Sequence, residues 1–345
     1  MVESIAVTQI QAGQIPIEGR VDPVLYNDWY AIARSSDVPA GTVRSAQLFG
    51  VNLVLWRGEN TAVLAWHDRC PHRSVRLSGG KVEDNCLVCP YHALAFNAEG
   101  RCVKVPAHPD YVPPKQACAQ TFLVSERYGV IFVSLGNPIA DVVPFPEWDD
   151  PDYRTYLSGG HRFRCSGLRA IENFLDVSHL PFVHGGILGE SDRPTIADYE
   201  VMPIETGIYM KNIQIWQPDP DGTGQGGIAT YDYWTLRPLV AALRKQKSDG
   251  QTMILWYVVT PISEEECVGW MWGALNYAHH IPKSDLVAFQ DRVMLQDVEN
   301  LESHNPKRLP LDTQIEFHLP SDRASLAYRK WLKKLGVTYG TVCSR

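Results

Sequence analysis

A chain of 345 residues with 45% hydrophobic and 21% charged side chains has the make-up of a globular protein of roughly two domains. Its formal net charge of −7 argues against a nucleic-acid backbone as the main partner. No run of 18 apolar residues exists, so no membrane span is expected, and no basic start followed by an apolar stretch marks a signal peptide.

Residues 1–23 have mixed polarity and no clear period, and are expected to form an N-terminal extension. From Tyr26 the pattern turns strand-like, with W-Y-A-I-A, V-N-L-V-L-W-R and T-A-V-L-A-W separated by Gly, Asn and Ser. Such short runs predict a small antiparallel domain. L-A-F-N-A-E-G-R-C-V continues it through a turn at residues 97–100, and Y-G-V-I-F-V-S-L-G closes it, giving a domain over 24–140.

Within that domain, residues 70–92 carry the first chemistry. Cys70 and His72 form C-x-H, Cys89 and His92 form C-x-x-H, and sixteen residues separate the pairs. Pro71 and Pro90 follow the two cysteines and stiffen the loops by fixing φ. Structural zinc also takes four Cys/His ligands, but its pairs usually place like ligands together. Here each loop supplies one sulfur and one nitrogen, the donor set of a Rieske [2Fe–2S] cluster, with two Cys on one iron and two His on the other. Cys86 completes a C-x-x-C with Cys89, but no matching pair exists elsewhere, so it reads as a small packed side chain. Cys102, Cys118, Cys165, Cys267 and Cys343 read as core or tail thiols. A reducing cytoplasm, where disulfides are rare, suits them.

On C-x-H-x16-C-x-x-H the chain resembles the Rieske non-haem iron oxygenases. The family more often has Gly-Trp after the second histidine. Ala93-Leu94 stands here instead, and is expected to alter packing near the cluster rather than ligation.

A proline-rich acidic connector, V-V-P-F-P-E-W-D-D-P-D-Y, places the domain boundary before a second domain over 141–345. The second constellation follows as I-E-N-F-L-D-V-S-H-L-P-F-V-H, residues 171–184. Asn173, Asp176 and His179 are three apart, which on a helix places them on neighbouring parts of one face. Pro181 is expected to end or kink that helix. Without a break, His179 and His184 would diverge by about 140°. Two histidines and a carboxylate with open positions make the facial triad of non-haem Fe(II) oxygenases. A lone H-x4-H is otherwise usually core. N-x-x-D-x-x-H-x-x-x-x-H matches the family's mononuclear-iron motif at all four marked positions. The resemblance implies that His179 and His184 ligate iron and that Asn173 lies near it. Asp176 would then support His179 and bridge to a cluster histidine of the neighbouring subunit.

The stretches I-Y-M-K-N-I-Q-I-W, A-T-Y-D-Y-W-T-L-R, M-I-L-W-Y-V-V-T and V-G-W-M-W-G-A-L alternate with period two and predict a curved antiparallel sheet. Trp256, Trp270 and Trp272 read as core ahead of pocket lining. The glycine-rich loop 219–227 lacks the Lys-Ser/Thr of a phosphate loop and reads as a hairpin connection. Residues 283–303 predict a long helix. Periodicity leaves Asp291 and Asp297 both flanked by apolar residues, and a carboxylate there needs a partner or a metal. The family's D-x4-E is matched by Asp297 and Glu302, so the resemblance makes Asp297 the third iron ligand. A final helix is predicted with Ser321 as N-cap, Asp322 in its first turn and Gly336 as its stop.

The resemblance, which runs from Tyr26 onward, implies an α+β protein. An N-terminal all-β Rieske [2Fe–2S] domain would precede a C-terminal helix-grip catalytic domain (antiparallel sheet with helices), and the chains would assemble as a head-to-tail homotrimer. It further implies a cytoplasmic monooxygenase with a [2Fe–2S] cluster, mononuclear Fe(II) and O2. A reductase, or a ferredoxin with its reductase, would feed it electrons from NAD(P)H, and its substrate would be a small molecule rather than a nucleic acid or a membrane. Size and the lack of a small-subunit signal resemble the three-fold α-only monooxygenases such as vanillate and dicamba O-demethylases and caffeine N-demethylases. F-P-E-W-D-D-P-D-Y and S-D-R-A-S-L-A-Y-R-K-W-L-K-K-L-G-V-T-Y-G are similar to saxitoxin-pathway hydroxylases, which implies site-selective C–H hydroxylation, with a guanidinium alkaloid as one candidate substrate. O- or N-demethylation is the alternative. A Rieske electron-transfer protein without catalysis and a zinc-stabilised binding module are the rivals from other classes.

Overall fold

The computed structural model describes residues 20–59, 61–220, 222–247 and 250–342. Most of the expected extension over 1–23, and Cys343, lie outside the described residues. The chain divides into two compact units, one built on Tyr26–Pro138 and the other on Ile139–Arg345 with Asp22–Leu25.

A single helical turn, α1 (Pro23–Tyr26), falls largely in the short segment Asp22–Leu25 assigned to the other unit, and the first unit is otherwise all β. Its strands are β1 (Tyr30–Arg34), β2 (Val43–Leu48), β3 (Val51–Trp56), β4 (Leu64–His67), β5 (Lys81–Glu83), β6 (Cys86–Val88), β7 (Ala95–Phe96), β8 (Cys102–Lys104), β9 (Thr121–Arg127) and β10 (Val130–Ser134). They form a six-stranded sheet in the order β1-β10-β9-β4-β3-β2 and a four-stranded sheet in the order β5-β6-β7-β8. Three hairpins turn on two residues that both have positive φ, at 49–50, 84–85 and 128–129. That is the tight turn whose twist matches the flanking strands. Trp56 and Trp66 meet edge to face, with ring centroids 5.0 Å apart. Leu77, Leu87, Phe96, Cys70 and Cys89 complete the same core, so the cluster loops grow directly out of it.

The second unit is built on a seven-stranded antiparallel sheet, with a short parallel pair, Leu309–Pro310 with Thr341–Val342, outside it. Its strands are β11 (Arg154–Phe163), β12 (Glu200–Ile204), β13 (Gly207–Gln217), β14 (Gly227–Arg237), β15 (Val240–Gln246), β16 (Thr252–Ser263) and β17 (Glu266–Leu275), in the order β11-β17-β16-β15-β14-β13-β12. The helices are α2 (Gly167–Leu175), α3 (Leu180–Val183), α4 (Lys283–Gln296), α5 (Val298–Ser303) and α6 (Arg323–Lys334). Phe174 of α2 lies over Tyr233 and Tyr257, at centroid distances of 5.6 and 5.2 Å, and so fixes the helix on one face of the sheet. Among the described residues no helix is long and apolar enough to cross a membrane.

Several local expectations change. The helix through residue 173 ends at Asp176, not at Pro181, and Pro181 instead sits in the first turn of α3. The Asp176 side chain takes the Ser178 N–H and hydroxyl at 2.8 and 2.7 Å, a local turn that competes with helix continuation. Asn173 is therefore helical while His179 is not in the same helix. The pattern over 283–303 likewise splits, into α4 and α5, with Asp297 at the junction. Ser321 is not the N-cap of α6. It lies in a 3-10 turn (Pro320–Asp322), and Asp322 precedes the helix with its carboxylate on Leu319 N. Gly336 has φ +74° and ends the helix as expected. Trp256, Trp270 and Trp272 are buried core. Residues of the opposite parity on β16 and β17 (Met253, Leu255, Met271) line the cavity instead.

Candidate active site and metal centres

The two cluster loops share one backbone pattern. Cys70 N donates to Val75 O at 2.8 Å and Ser74 N to Cys70 O at 2.9 Å. Cys89 N donates to Leu94 O at 2.9 Å and Ala93 N to Cys89 O at 3.1 Å. In each loop a proline follows the cysteine, and the residue four after it takes positive φ: Ser74 at +61° and Ala93 at +53°. Ala93 thus adopts a conformation that glycine enters freely, at a cost of roughly 1–2 kcal/mol for a residue with a Cβ. Leu94 beside it packs on the cluster-loop core.

Cys70 and Cys89 are buried, and His72 and His92 are exposed. The imidazole Nδ1 atoms of the two histidines face each other at 3.2 Å. Burial pushes the Cys70 thiol up to about 11, and the adjoining Cys89 sulfur adds to this. Such a thiol ionises only beside a strong positive charge. Two adjoining buried sulfurs and two converging Nδ1 atoms suit a cluster that takes S2 on one iron and N2 on the other.

The second site lies in the sheet-and-helix unit. His179 ends the turn after α2, His184 follows α3, and Asp297 sits at the junction of α4 and α5. One ligand atom from each lies within 4.8 Å of the others. His184 Nε2 is 3.3 Å, and His179 Nε2 3.6 Å, from Asp297 Oδ1. That buried oxygen has no hydrogen-bond partner among the described residues. Metal bonds of about 2.1 Å at right angles put ligand atoms about 3 Å apart, close to the two histidine–carboxylate distances, so the donor set suits a small divalent ion on one face. Each histidine has its other nitrogen occupied. His179 Nδ1 meets Asp176 Oδ2 at 3.2 Å, and His184 Nδ1 meets Gln296 Oε1 at 2.9 Å. A donor Nδ1–H fixes the tautomer and leaves Nε2 as the free lone pair. Burial alone would raise the Asp176 carboxyl, but the bonds from His179 and Ser178 hold it below its usual range. Burial alone would lower the His184 imidazole, but Asp297 and Gln296 outweigh it and raise it, so the site attracts positive charge.

The rival carboxylate has a different job. Asp291 Oδ1 accepts from Ser158 Oγ (2.6 Å), Gly159 N (2.9 Å) and His161 Nε2 (2.7 Å), which docks α4 on a bulge in β11. Glu302 pairs with Arg164 at 2.7 Å and does not join the three donors. Gln296 was not picked out from the sequence. The only signal for it there is that it precedes Asp297.

The three donors open into a cavity of about 1370 Å³. Asn173, Phe174, Tyr231, Tyr233, Gln217 and Lys245 are among its lining residues. It is larger than the range typical for drug-sized ligands.

A cluster-binding β unit followed by a helix-on-sheet unit with a two-histidine, one-carboxylate site defines a two-centre iron oxygenase. Comparison with known proteins agrees. Residues 28–122 match the Rieske [2Fe-2S] domain, and residues 163–338 match the vanillate O-demethylase oxygenase C-terminal domain. Methylxanthine N3-demethylase NdmB of Pseudomonas putida is 30% identical over 84% of this chain and 82% of its own. Methylxanthine N1-demethylase NdmA of the same organism is 29% identical over 79% of this chain and 77% of its own. The solved structure of the Pseudomonas putida CBB5 NdmA QL mutant with caffeine superposes with a TM-score of 0.77 at 26% identity, covering 90% of each chain. The chain belongs to the Rieske non-haem iron oxygenases, as an alpha subunit. It is an oxidoreductase of the family that uses a [2Fe–2S] cluster, mononuclear iron and O2.

Proposed function

We propose that this oxygenase removes methyl groups from nitrogen or oxygen of a small planar substrate by oxidising the methyl C–H bond. The observation that carries this is the joint one of a donor triad opening into a large cavity and relatives named as demethylases. Hydroxylation at a ring carbon is the second reading, favoured by the segments 145–153 and 321–340. The cavity lining sets Lys245, Lys247 and Arg292 against Asp219 and Asp297, so it offers a guanidinium substrate no excess of negative charge.

In this reading Cys70, His72, Cys89 and His92 hold the cluster, and His179, His184 and Asp297 hold the mononuclear iron. When bound, the cluster supplies single electrons and the iron supplies O2 activation for attack on a C–H bond. The remaining work falls to the protein. Asp176 and Gln296 hold the Nδ1 protons of the two histidines and so aim both Nε2 atoms at one point. Asn173 lines the same cavity. A substrate carbon that gains a hydroxyl while bonded to nitrogen or oxygen then breaks down by releasing formaldehyde.

Residues 24–140 form the electron-receiving domain and 141–345 the catalytic domain. The chain works as a cytoplasmic homotrimer in which Asp176 links one subunit's mononuclear site to the neighbour's cluster. A reductase, or a ferredoxin with its reductase, draws on NAD(P)H. The test is iron analysis with product detection. About three irons per chain and formaldehyde release from N-methyl or O-methyl compounds are expected. About two irons would instead favour a pure electron carrier, and a colourless zinc protein would defeat both readings.

A further inference from the structure

On the wall of the same cavity, three side chains on adjacent strands form a chain of hydrogen bonds with one fixed direction. Lys245 of β15 donates from Nζ to Gln217 Oε1 at 2.8 Å. Gln217 of β13 donates from Nε2 to Leu188 O at 3.2 Å and to Tyr231 Oη at 2.8 Å. The amide orientation is set twice over. An ammonium only donates and a carbonyl only accepts, so Gln217 Oε1 must face Lys245 and Nε2 must face Leu188. Gln217 is 0% exposed and Tyr231 4% exposed, so water does not scramble the pattern from outside.

The consequence falls on Tyr231. Its oxygen is already accepting from Gln217, and its own O–H finds no acceptor among the described residues. A buried hydroxyl without an acceptor is costly, and this one lies at the cavity wall. Burial also pushes the Tyr231 phenol up, so it keeps its proton. Tyr233, two residues along the same strand face, meets Phe174 next to Asn173. The Tyr231 ring lies 5.9 Å from the Tyr233 ring, which in turn touches Phe174 of α2.

We propose that Tyr231 is a substrate-binding donor. Its O–H is aimed by the Lys245–Gln217 pair, and it takes a carbonyl or other acceptor oxygen on the end of the substrate remote from the attacked carbon. This rests on the oxygenase reading above and specifies its substrate class: oxygen-acceptor heterocycles or aromatic carbonyl compounds, not donors such as guanidinium groups.

The test uses the full chain loaded with both iron centres. Binding of caffeine, 4-methoxybenzamide and 1-methyl-2-pyridone is measured by calorimetry against counterparts without the carbonyl: 1,3-dimethylindole, 4-methylanisole and toluene. Wild type is expected to prefer the carbonyl member of at least one pair. Tyr231→Phe, which keeps the ring and its packing, is expected to weaken that member roughly five- to tenfold and leave its counterpart unchanged. Lys245→Met removes one of the two constraints on the amide and leaves the Leu188 carbonyl as the other. It is expected to lose part of the same preference, non-additively with Tyr231→Phe. A crystal structure of the wild type is expected to show a water or ligand oxygen accepting from Tyr231 Oη on the side away from Gln217.

Equal weakening of both members of a pair, no carbonyl preference in any pair, or a reversed Gln217 amide would each overturn the proposal. Iron content and colour read the underlying assignment separately. Lost preference with about three irons per chain sinks only the Tyr231 role. Absence of the mononuclear iron from a protein that keeps the preference sinks only the oxygenase reading.

Discussion

The two candidate metal sites are built in opposite ways. The cluster loops take four donors from residues 70–92, and each loop is a self-contained turn closed by its own backbone hydrogen bonds. The triad takes donors from residues 179, 184 and 297, each at the end of a helix, and its two histidines are aimed by the side chains of Asp176 and Gln296. A local site fails or survives with its loop. A dispersed site depends on how helices are docked.

That contrast is broken most sharply by removing donors. Asp297→Ala or His184→Ala is expected to lower iron from about three to about two per chain and abolish turnover while the red-brown cluster spectrum stays. Cys70→Ser is expected to do the reverse, bleaching the spectrum while mononuclear iron is retained. Loss of both centres from either variant would mean that the sites are not independent. Gln296→Leu comes next. It leaves the ligand in place but removes the acceptor for His184 Nδ1, and iron affinity measured by chelator competition is expected to fall 10- to 100-fold.

Acid is expected to reach the scaffold of the triad. Glu316 accepts from Arg169 of α2 at 2.6 Å and from Arg329 of α6 at 2.6 Å, and Glu172 joins the same group. Burial would raise the Glu316 carboxyl, but the two guanidinium groups outweigh it and hold it down at about 2. Its folded value lies below its ordinary value near 4.5, so its stabilisation is full above that pH and is lost as pH falls toward 2. In thermal melts Glu316→Gln should therefore lower the midpoint at pH 7, with the gap to wild type closing as the pH is brought to 3. A gap independent of pH would refute the assignment. The smallest effect is expected at Ala93→Gly, where relief of the positive φ is partly offset by added chain entropy. A gain of about 1 kcal/mol or less in denaturant titrations, without change in the triad's iron, would mark the loop as local.

Legibility in the sequence follows the same divide. The cluster donors could be read because they are close together and their S/N alternation suits one cofactor. His179 and His184 could be read as a pair, but not the path between them. Three-residue spacing suggests one helix face, and it does not reveal that Asp176 turns its carboxylate onto Ser178 and ends the helix there. Asp297 needed the family resemblance, since its apolar flanks are no better than those of Asp291. Gln217 did leave a trace. Ile213, Ile215 and Gln217 share one strand face, and a polar residue closing an apolar row is a signal. Tyr231 and Lys245 left none, and Gln296 only its place before Asp297, because their roles arise from strand pairing and helix ends that residue spacing does not encode.

Asp291 invites a practical use. With one oxygen it grips the bulge at residues 158–161, and it sits on the same helix whose end presents Asp297. A side chain added at Gly159 would meet Gly269 O at 2.7 Å. Variation at this outer seam would therefore shift the helix end that presents Asp297 and retune the candidate triad from behind, giving protein engineers a dial that leaves every cavity-lining residue untouched.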